Sequence, residues 1–267
     1  MKRREFGGWV MAAVAAAAIR PALAETLACT LVVDAADGRV LTRRGPCELR
    51  FSPCSTFKVP LALMGFDAGL LQDEHTPLLD YRPEFNGAER ERKATDPAIW
   101  LRDSIIWYSR YVTRGLGAAR LQSYADGFDY GNRDLTGDPG LDNGLTQAWL
   151  MSSLRVSADD QVRFLGRMLA GQLPVSARAV ELTQAIIPPF QADGGWSVRG
   201  KTGSGWLGGA GVPVNENQPQ GWFVGWAEKD GRRVLFARLE VADHPIDGFA
   251  GMAARKTVLT ELAGWVG

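Results

Sequence analysis

The stretch that decides the fold is SPCSTFKVPLALM, residues 52–64. Its second half is apolar and typical of a buried helix, in which proline is tolerated only in the first turn, where its missing N–H is not needed. Pro60 therefore predicts a helix that starts near Thr56. Ser55 is expected at or beside the N-cap, where backbone N–H groups and the helix dipole favour negative charge. Lys58 lies three residues further on, on the same face.

A serine and a lysine at this spacing form a nucleophile and a potential base that need no histidine. The chain contains two histidines, His75 and His244, and both lie in polar, turn-like surroundings. They offer few candidates for a Ser-His-Asp triad and too few ligands for a zinc hydrolase site. The sequence therefore predicts a hydrolytic or acyl-transfer site without a metal.

The segments on either side of this helix predict an α+β fold. Two β-rich runs, 30–33 and 39–42, form a hairpin around an Asp-Gly turn, and residues from 196 onward form further strands. Neither set suffices for an independent sheet, so we expect one central antiparallel sheet. A C-terminal helix over 254–266 covers it, and a mostly helical lobe is inserted, giving three αβα layers. The Gly-, Pro- and Asn-rich stretch 207–220 is interpreted as a long loop between two strands.

The first 24 residues resemble a cleavable signal peptide, with a basic start, an apolar run over 9–19 and a small-x-small cleavage site at 22–24. The apolar run is shorter than the roughly 20 residues that span a membrane. Arg3 and Arg4 also fit a twin-arginine export signal, so both export routes stay open. The mature chain is expected over 25–267 as one catalytic domain in the periplasm, with the helical lobe at about 55–190 and the sheet lobe at 25–54 and 191–267.

Composition and cysteine count limit the partners and the covalent structure. Thirty basic and 30 acidic residues among 267 give no global charge that favours nucleic acid or an anionic membrane surface. Export permits disulfides. Folding the hairpin about residue 38 places Cys29 opposite Cys47, which predicts a disulfide between them. Cys54 is then left as a small buried residue.

Further motifs follow in order along the chain. Lys201-Thr202-Gly203 comes directly after a β run at 195–200, where a lysine and a hydroxyl at a strand edge can hold a carboxylate and glycine permits close approach. Ser104 precedes Ile106 on a helix-like segment, and Tyr130-Gly131-Asn132 lies in a polar loop.

With these motifs the sequence resembles the class D serine β-lactamases, or oxacillinases, over essentially the whole mature chain. The matching segments are S-T-F-K at 55–58, the S-x-V-like 104–106, Y-G-N at 130–132, W-L at 149–150, K-T-G at 201–203 and A-R-K at 254–256. The resemblance implies hydrolysis of β-lactam antibiotics through a serine acyl-enzyme, with resistance as the biological result. It implies no bound cofactor, but CO2 or bicarbonate to convert Lys58 to N6-carboxylysine.

The resemblance also implies a role for each residue. Ser55 attacks the lactam carbonyl, and the backbone N–H groups of Ser55 and Ser204 form the oxyanion hole. Carboxylated Lys58 is the general base, and the Trp149 indole holds the carbamate. Ser104, helped by Lys201, passes a proton to the leaving nitrogen.

Substrate contacts are implied at further positions. Thr202 and Arg255 bind the substrate carboxylate beside Gly203. Ile106 and Leu154 exclude water near the carbamate, and Tyr130 borders the cleft. Ile106 replaces the commoner valine, and carbapenem hydrolysis stays undecided, as does the choice between monomer and homodimer.

Three alternatives stay open at this point. A penicillin-binding transpeptidase shares two of the motifs but has asparagine where this chain has Ile106. A β-lactam sensor domain is acylated and stays acylated, but such domains are tethered to membrane segments. A catalytically idle binding protein conflicts with the intact Ser55, Lys58, Ser104 and Lys201.

Overall fold

The computed structural model describes residues 27–209 and 211–267. The predicted signal peptide, 1–24, lies outside the described residues and stays a prediction. Within the described ranges, no helix is both long and apolar enough to cross a membrane.

One six-stranded antiparallel sheet forms the centre of the molecule, as predicted. Its strands are β1 (Leu27–Asp34), β2 (Val40–Arg44), β3 (Pro189–Ala192), β4 (Trp196–Gly209), β5 (Val212–Lys229) and β6 (Arg232–Val241). Their spatial order is β2-β1-β6-β5-β4-β3. Pairing of β1 with β6, over Leu27↔Val241 to Asp34↔Val234, joins the two ends of the chain.

Helices cover both faces of this sheet and complete the three predicted layers. They are α1 (Lys58–Asp67), α2 (Pro97–Asp103), α3 (Ile106–Phe128), α4 (Gly144–Gln147), α5 (Ala158–Leu169), α6 (Ala177–Ile186) and α7 (Ala250–Val266). Helix α7 packs its apolar residues, including Val258 and Leu262, against one face. The inserted helices share a second, larger core with the opposite face. The active-site candidates lie where this second core meets β4.

The start of α1 differs from the predicted one. A 3-10 turn, Cys54–Phe57, precedes the helix, so Ser55 lies in the turn and not at an N-cap. The backbone N–H of Thr56 donates to the carbonyl of Pro53 at 3.1 Å, and its hydroxyl donates to the same oxygen at 2.7 Å. These i to i−3 bonds tighten the chain before the regular helix begins.

The prediction of a loop over 207–220 is wrong. Strand β4 continues to Gly209 and β5 begins at Val212, so most of the stretch is a hairpin. The pairing is irregular between Trp206 and Gly209, with Leu207 opposite Asn215. Glycine and proline indicate turns, but such bulges absorb them while the backbone pairing continues.

The predicted disulfide between Cys29 and Cys47 is present, with its Cα atoms 5.2 Å apart. The hairpin register differs by two residues from the predicted one, because Thr30 pairs with Arg44. The chain instead turns after β2 at Gly45, whose φ is 74° and where a Cβ would lie 1.9 Å from the carbonyl oxygen of Ala28. This turn brings Cys47 back to Cys29. Cys54 is a buried thiol outside the disulfide.

Candidate active site

The nucleophile turn places Ser55 beside a buried lysine. The Nζ atom of Lys58 lies 3.1 Å from Ser55 Oγ, and Lys58 is 1% exposed. Burial lowers the pKa of Lys58 to about 7, with the negative charge of Glu91 as the strongest opposing effect. A large fraction of this amine is therefore neutral near neutral pH, which is the form that can react with an electrophile or accept a proton.

A second buried lysine faces a second serine. Lys201 Nζ donates to Ser104 Oγ at 3.1 Å and to the carbonyl of Thr202 at 2.9 Å. Burial lowers the pKa of Lys201 well below its usual value, and the nearby charge of Lys58 lowers it further. The two lysines are thus close enough for their charges to interact, and each one contacts a serine hydroxyl.

Strand β4 brings these groups together because its side chains alternate between two faces. Gly203 faces the nucleophile turn, where a Cβ would lie 2.7 Å from the carbonyl oxygen of Pro53 and 3.1 Å from Thr56 Cγ2. Lys201 lies on the same face, two residues earlier. A side chain at position 203 would push β4 away from Ser55, which explains glycine there.

The alternate residues of β4 face α7. Ser204 Oγ accepts a hydrogen bond from the Gly251 N–H at 2.9 Å. Thr202 lies two residues earlier on this face and is partly exposed. Arg255 of α7 packs its guanidinium over the ring of Phe190, 4.8 Å from the centroid, and makes no salt bridge within 27–209 and 211–267. Its charge contributes to the lowered pKa of Lys201.

Trp149 is fully buried and stacks on Phe57, with ring centroids 5.5 Å apart. Its backbone carbonyl accepts hydrogen bonds from the Cys54 N–H at 3.0 Å and from the Ser52 hydroxyl at 2.8 Å. The indole Nε1 has no hydrogen-bond partner among the residues that the structure describes. A buried donor without an acceptor costs about 1–3 kcal/mol, so the site is suited to a group that supplies one.

The exposure of the remaining predicted site residues differs: Leu154 and Tyr130 are buried, and Ile106 is partly exposed. Leu154 is fully buried in the core, and Ile106 is the first, partly exposed residue of α3. Tyr130 is also fully buried, and its hydroxyl lies 3.3 Å from Gln161 Oε1. Gln161 in turn donates to the Thr56 hydroxyl at 2.8 Å. The structure thus brings Tyr130 to the inner side of the nucleophile turn.

Sequence reasoning missed several residues that hold this site. Ser52 anchors the turn through its carbonyl, which accepts from Trp222 Nε1 and Gln220 Nε2, both at 3.0 Å. Glu91 is a buried carboxylate in the connection between α1 and α2. No motif marks either residue, because each one joins segments that are separated in the sequence, as Glu91 does with Ile106 and Ser52 with Trp222.

The groups around Lys58 fit the chemical requirements of a lysine carbamate. In the described part of the chain, no three His, Cys, Asp or Glu side chains cluster as metal ligands. A carbamate on Lys58 needs a neutral amine and hydrogen-bond donors for its oxygens. The lowered pKa of Lys58 meets the first need, and the Trp149 indole N–H, which has no partner in the described part of the chain, fits the second.

Comparison with known proteins agrees with this geometry. Residues 28–263 match the family model of the penicillin binding protein transpeptidase domain. The chain is 50% identical to β-lactamase OXA-9 of Klebsiella pneumoniae over 240 residues, which cover 89% of this chain and 88% of that protein. It is 31% identical to β-lactamase OXA-1 of Escherichia coli over 245 residues, or 91% and 86% of the two chains.

Among solved structures, the class D β-lactamase OXA-427 superposes with a TM-score of 0.76 at 43% identity, over 86% of this chain and 95% of that one. The fold, the two serine-lysine contacts and these relatives agree. The chain therefore belongs to the class D serine β-lactamases, enzymes of the penicillin-binding transpeptidase superfamily.

Proposed function

We propose that the protein hydrolyses the amide bond of β-lactam antibiotics through an acyl-enzyme on Ser55, with carboxylated Lys58 as general base. The observation that carries this proposal is the contact between the buried Lys58 Nζ and Ser55 Oγ. Beside it, the Trp149 ring stacks on Phe57 of the nucleophile turn, and its indole N–H has no hydrogen-bond partner among the described residues. The names of the relatives OXA-9 and OXA-1 support the substrate class.

The carbamate forms when the neutral amine of Lys58 attacks CO2 and loses a proton. A neutral amine is required, and burial provides it by lowering the pKa of Lys58 to about 7. When present, the carbamate supplies a basic oxygen for proton transfer. Trp149 holds it in place by donating its indole N–H.

Acylation requires a nucleophile and a proton donor. Ser55 Oγ bonds to the lactam carbonyl carbon as its proton passes to the base, and the C–N bond then breaks. The Ser104 hydroxyl gives a proton to the departing nitrogen and takes one from Lys201 across the 3.1 Å contact. The proton that the base took from Ser55 then returns to Lys201, so both groups are restored before deacylation. The N–H groups of Ser55 and Ser204 stabilise the oxyanion.

Deacylation releases the product and restores Ser55. A water molecule loses a proton to the base and attacks the ester carbonyl, and the base returns that proton to Ser55 Oγ as the ester C–O bond breaks. Leu154 and Ile106 limit the access of bulk water around Lys58. Tyr130 acts indirectly, since its contacts with Gln161 support Thr56 in the nucleophile turn.

Substrate binding uses the α7 side of β4. The Thr202 hydroxyl and the Arg255 guanidinium hold the β-lactam carboxylate. Gly203, on the opposite face, lets β4 and the bound substrate approach Ser55. Arg255 is partly exposed, and its guanidinium is positioned by the ring of Phe190. The residues around the β4–β5 hairpin set the substrate range.

Location and assembly follow from the same proposal. The mature protein acts in the periplasm after removal of residues 1–24, without membrane attachment or nucleic acid as a partner. It needs no bound cofactor, and it acts as a monomer or a homodimer. Hydrolysis in that compartment confers resistance to β-lactams.

A time course of chromogenic cephalosporin hydrolysis tests the proposal. The wild-type protein is expected to turn over many equivalents, whereas Ser55→Ala shows no activity and forms no covalent adduct by mass spectrometry. Ser153→Ala is a matched control, since Ser153 is a buried serine that bonds to the Gly137 N–H. A burst of one equivalent without turnover would instead identify a sensor or a transpeptidase.

A further inference from the structure

The long connection between α1 and α2, residues 68–96, brings a buried carboxylate to the Ser104 segment. Glu91 is 1% exposed, and its two carboxylate oxygens have separate partners. Oε2 accepts from the backbone N–H of Ile106 at 3.1 Å, and Oε1 accepts from Arg90 Nη2 at 2.9 Å. The carbonyl of Glu91 also accepts from Trp107 Nε1 at 2.8 Å. Glu91 thus holds the first turn of α3.

Arg90 holds the other side of the same segment. Its Nη1 atom donates to the carbonyl of Asp103 at 3.1 Å. The ion pair of Arg90 and Glu91 therefore bonds to the residue before Ser104 and to the second residue after it. We call these two side chains the Arg90–Glu91 brace.

The backbone conformation of Ser104 is one that needs support from neighbouring residues. It ends α2 with φ 60° and ψ 41°, a left-handed conformation that a serine adopts at a cost. This conformation points Ser104 Oγ to Lys201 Nζ at 3.1 Å. If the segment relaxed, the hydroxyl would leave the lysine and the reacting nitrogen, and small displacements of catalytic groups lower rates strongly.

We propose that Glu91, paired with Arg90, is a positioning residue that keeps Ser104 in the geometry needed for proton transfer to the leaving nitrogen. The inference rests on the proposed function, in which Ser104 carries that proton. Acylation expels the nitrogen and deacylation does not, so the brace acts mainly on the first step.

The brace also changes the field at Lys58. The groups that act on the Lys58 amine are Glu91, Arg90, Cys54, Arg110 and Lys201. Glu91 raises the pKa of Lys58 and Arg90 lowers it. Removing Glu91 therefore lowers the pKa of Lys58, and removing Arg90 raises it.

The test compares Glu91→Gln with Asp34→Asn. Asp34 is a matched control, because this largely buried carboxylate also accepts from one arginine, Arg232 at 3.1 Å, and from one backbone N–H, Ala36 at 3.0 Å, at the end of β1. Rapid mixing with a chromogenic cephalosporin and mass spectrometry of the adduct give the acylation and deacylation rate constants separately.

Glu91→Gln is expected to slow acylation at least tenfold and deacylation less than threefold, whereas Asp34→Asn leaves both within twofold of wild type. The acidic limb of the acylation rate should move to lower pH in Glu91→Gln, because the pKa of Lys58 falls. In Arg90→Gln acylation should also slow, but the limb should move to higher pH. Arg90 is half-exposed, so this variant tests the brace even if Glu91→Gln folds poorly.

Equal slowing of the two steps, or no slowing in either brace variant, would overturn the inference. The Arg90–Glu91 brace would then have only a structural role. The wild-type protein separates this failure from that of the proposed function. If wild type forms no adduct on Ser55, the proposed function has failed, and the inference fails with it. If wild type turns over normally while the brace variants keep its ratio of rate constants, the inference alone is wrong.

Discussion

The two faces of β4 place neighbouring residues in contrasting environments. Lys201 and Gly203 face the inserted helices, and Lys201 is buried beside Lys58 and Ser104. Thr202 and Ser204 face α7 and stay partly exposed. Burial changes protonation, whereas partial exposure leaves a charged group such as Arg255 free to meet an anion. In the proposed mechanism, one strand thereby separates the reacting groups from the groups that bind the substrate carboxylate.

The largest expected effect is on the buried face. Lys58→Ala should lower kcat by about 10³-fold or more, since it removes the general base. Steady-state kinetics with a chromogenic cephalosporin measure it. Lys256→Ala on the exposed side of α7 is the control and should retain wild-type kcat. A Lys58→Ala variant within tenfold of wild type would remove this lysine from the mechanism.

A smaller effect is expected on the α7 face, and mainly in KM. Thr202→Val and Arg255→Ala each remove a hydrogen bond to the substrate carboxylate, so kcat/KM should fall by about 10- to 100-fold. Lys256→Ala again serves as control, because it removes a charge from the next residue of the same helix. If kcat fell and KM stayed constant, the division between the two faces would be wrong.

A substitution at Trp149 tests whether the indole N–H on the buried side of β4 acts on the general base. Trp149→Phe keeps an aromatic ring against Phe57 but removes the N–H, so deacylation should slow by about tenfold while acylation is less affected. Mass spectrometry should then detect an acyl-enzyme that accumulates during turnover. Added bicarbonate should restore part of the rate. Kinetics equal to those of wild type would exclude a hydrogen bond from this indole to the base.

The pH dependence follows from the pKa of Lys58. The pKa is lowered by burial to about 7, so the amine becomes protonated as the pH falls through this value and can no longer take up CO2. At constant CO2 pressure, turnover should decline on the acidic side with a midpoint near pH 7. A profile that stays flat down to pH 5 would contradict the link between Lys58 and activity.

The smallest effect on activity is expected far from both faces. Cys29→Ser with Cys47→Ser removes the disulfide, whose sequence separation is 18 residues. Chain entropy predicts a loss of about 3 kcal/mol in the free energy of unfolding. Urea denaturation measures this loss, and kcat at 25 °C should stay within twofold. A large loss of kcat in folded protein would connect the hairpin to the site.

Local patterns in the sequence predicted the sheet and the terminal helix, because alternation, helical periodicity and turn residues depend on near neighbours. The disulfide pair was predicted correctly from a hairpin register that differs from the observed one, because the turn at Gly45 brings Cys47 back to Cys29. The predicted register of the β1–β2 hairpin and the predicted loop over 207–220 were wrong, because tertiary pairing and β-bulges determine the observed structure of both. The family motifs identified the serines and lysines of the site, which are Ser55, Lys58, Ser104 and Lys201. The brace of Arg90 and Glu91 had no signal, because its meaning depends on the distance to Asp103 and Ile106 in the folded chain.

The most direct test of the central claim is NMR spectroscopy of the protein equilibrated with ¹³C-bicarbonate at pH 8. We predict one slowly exchanging carbamate signal in wild type that is lost in Lys58→Ala, kept in Lys256→Ala and removed at acidic pH together with activity. A fully active wild-type protein without a carbamate signal, or with an unchanged signal in Lys58→Ala, would contradict the account.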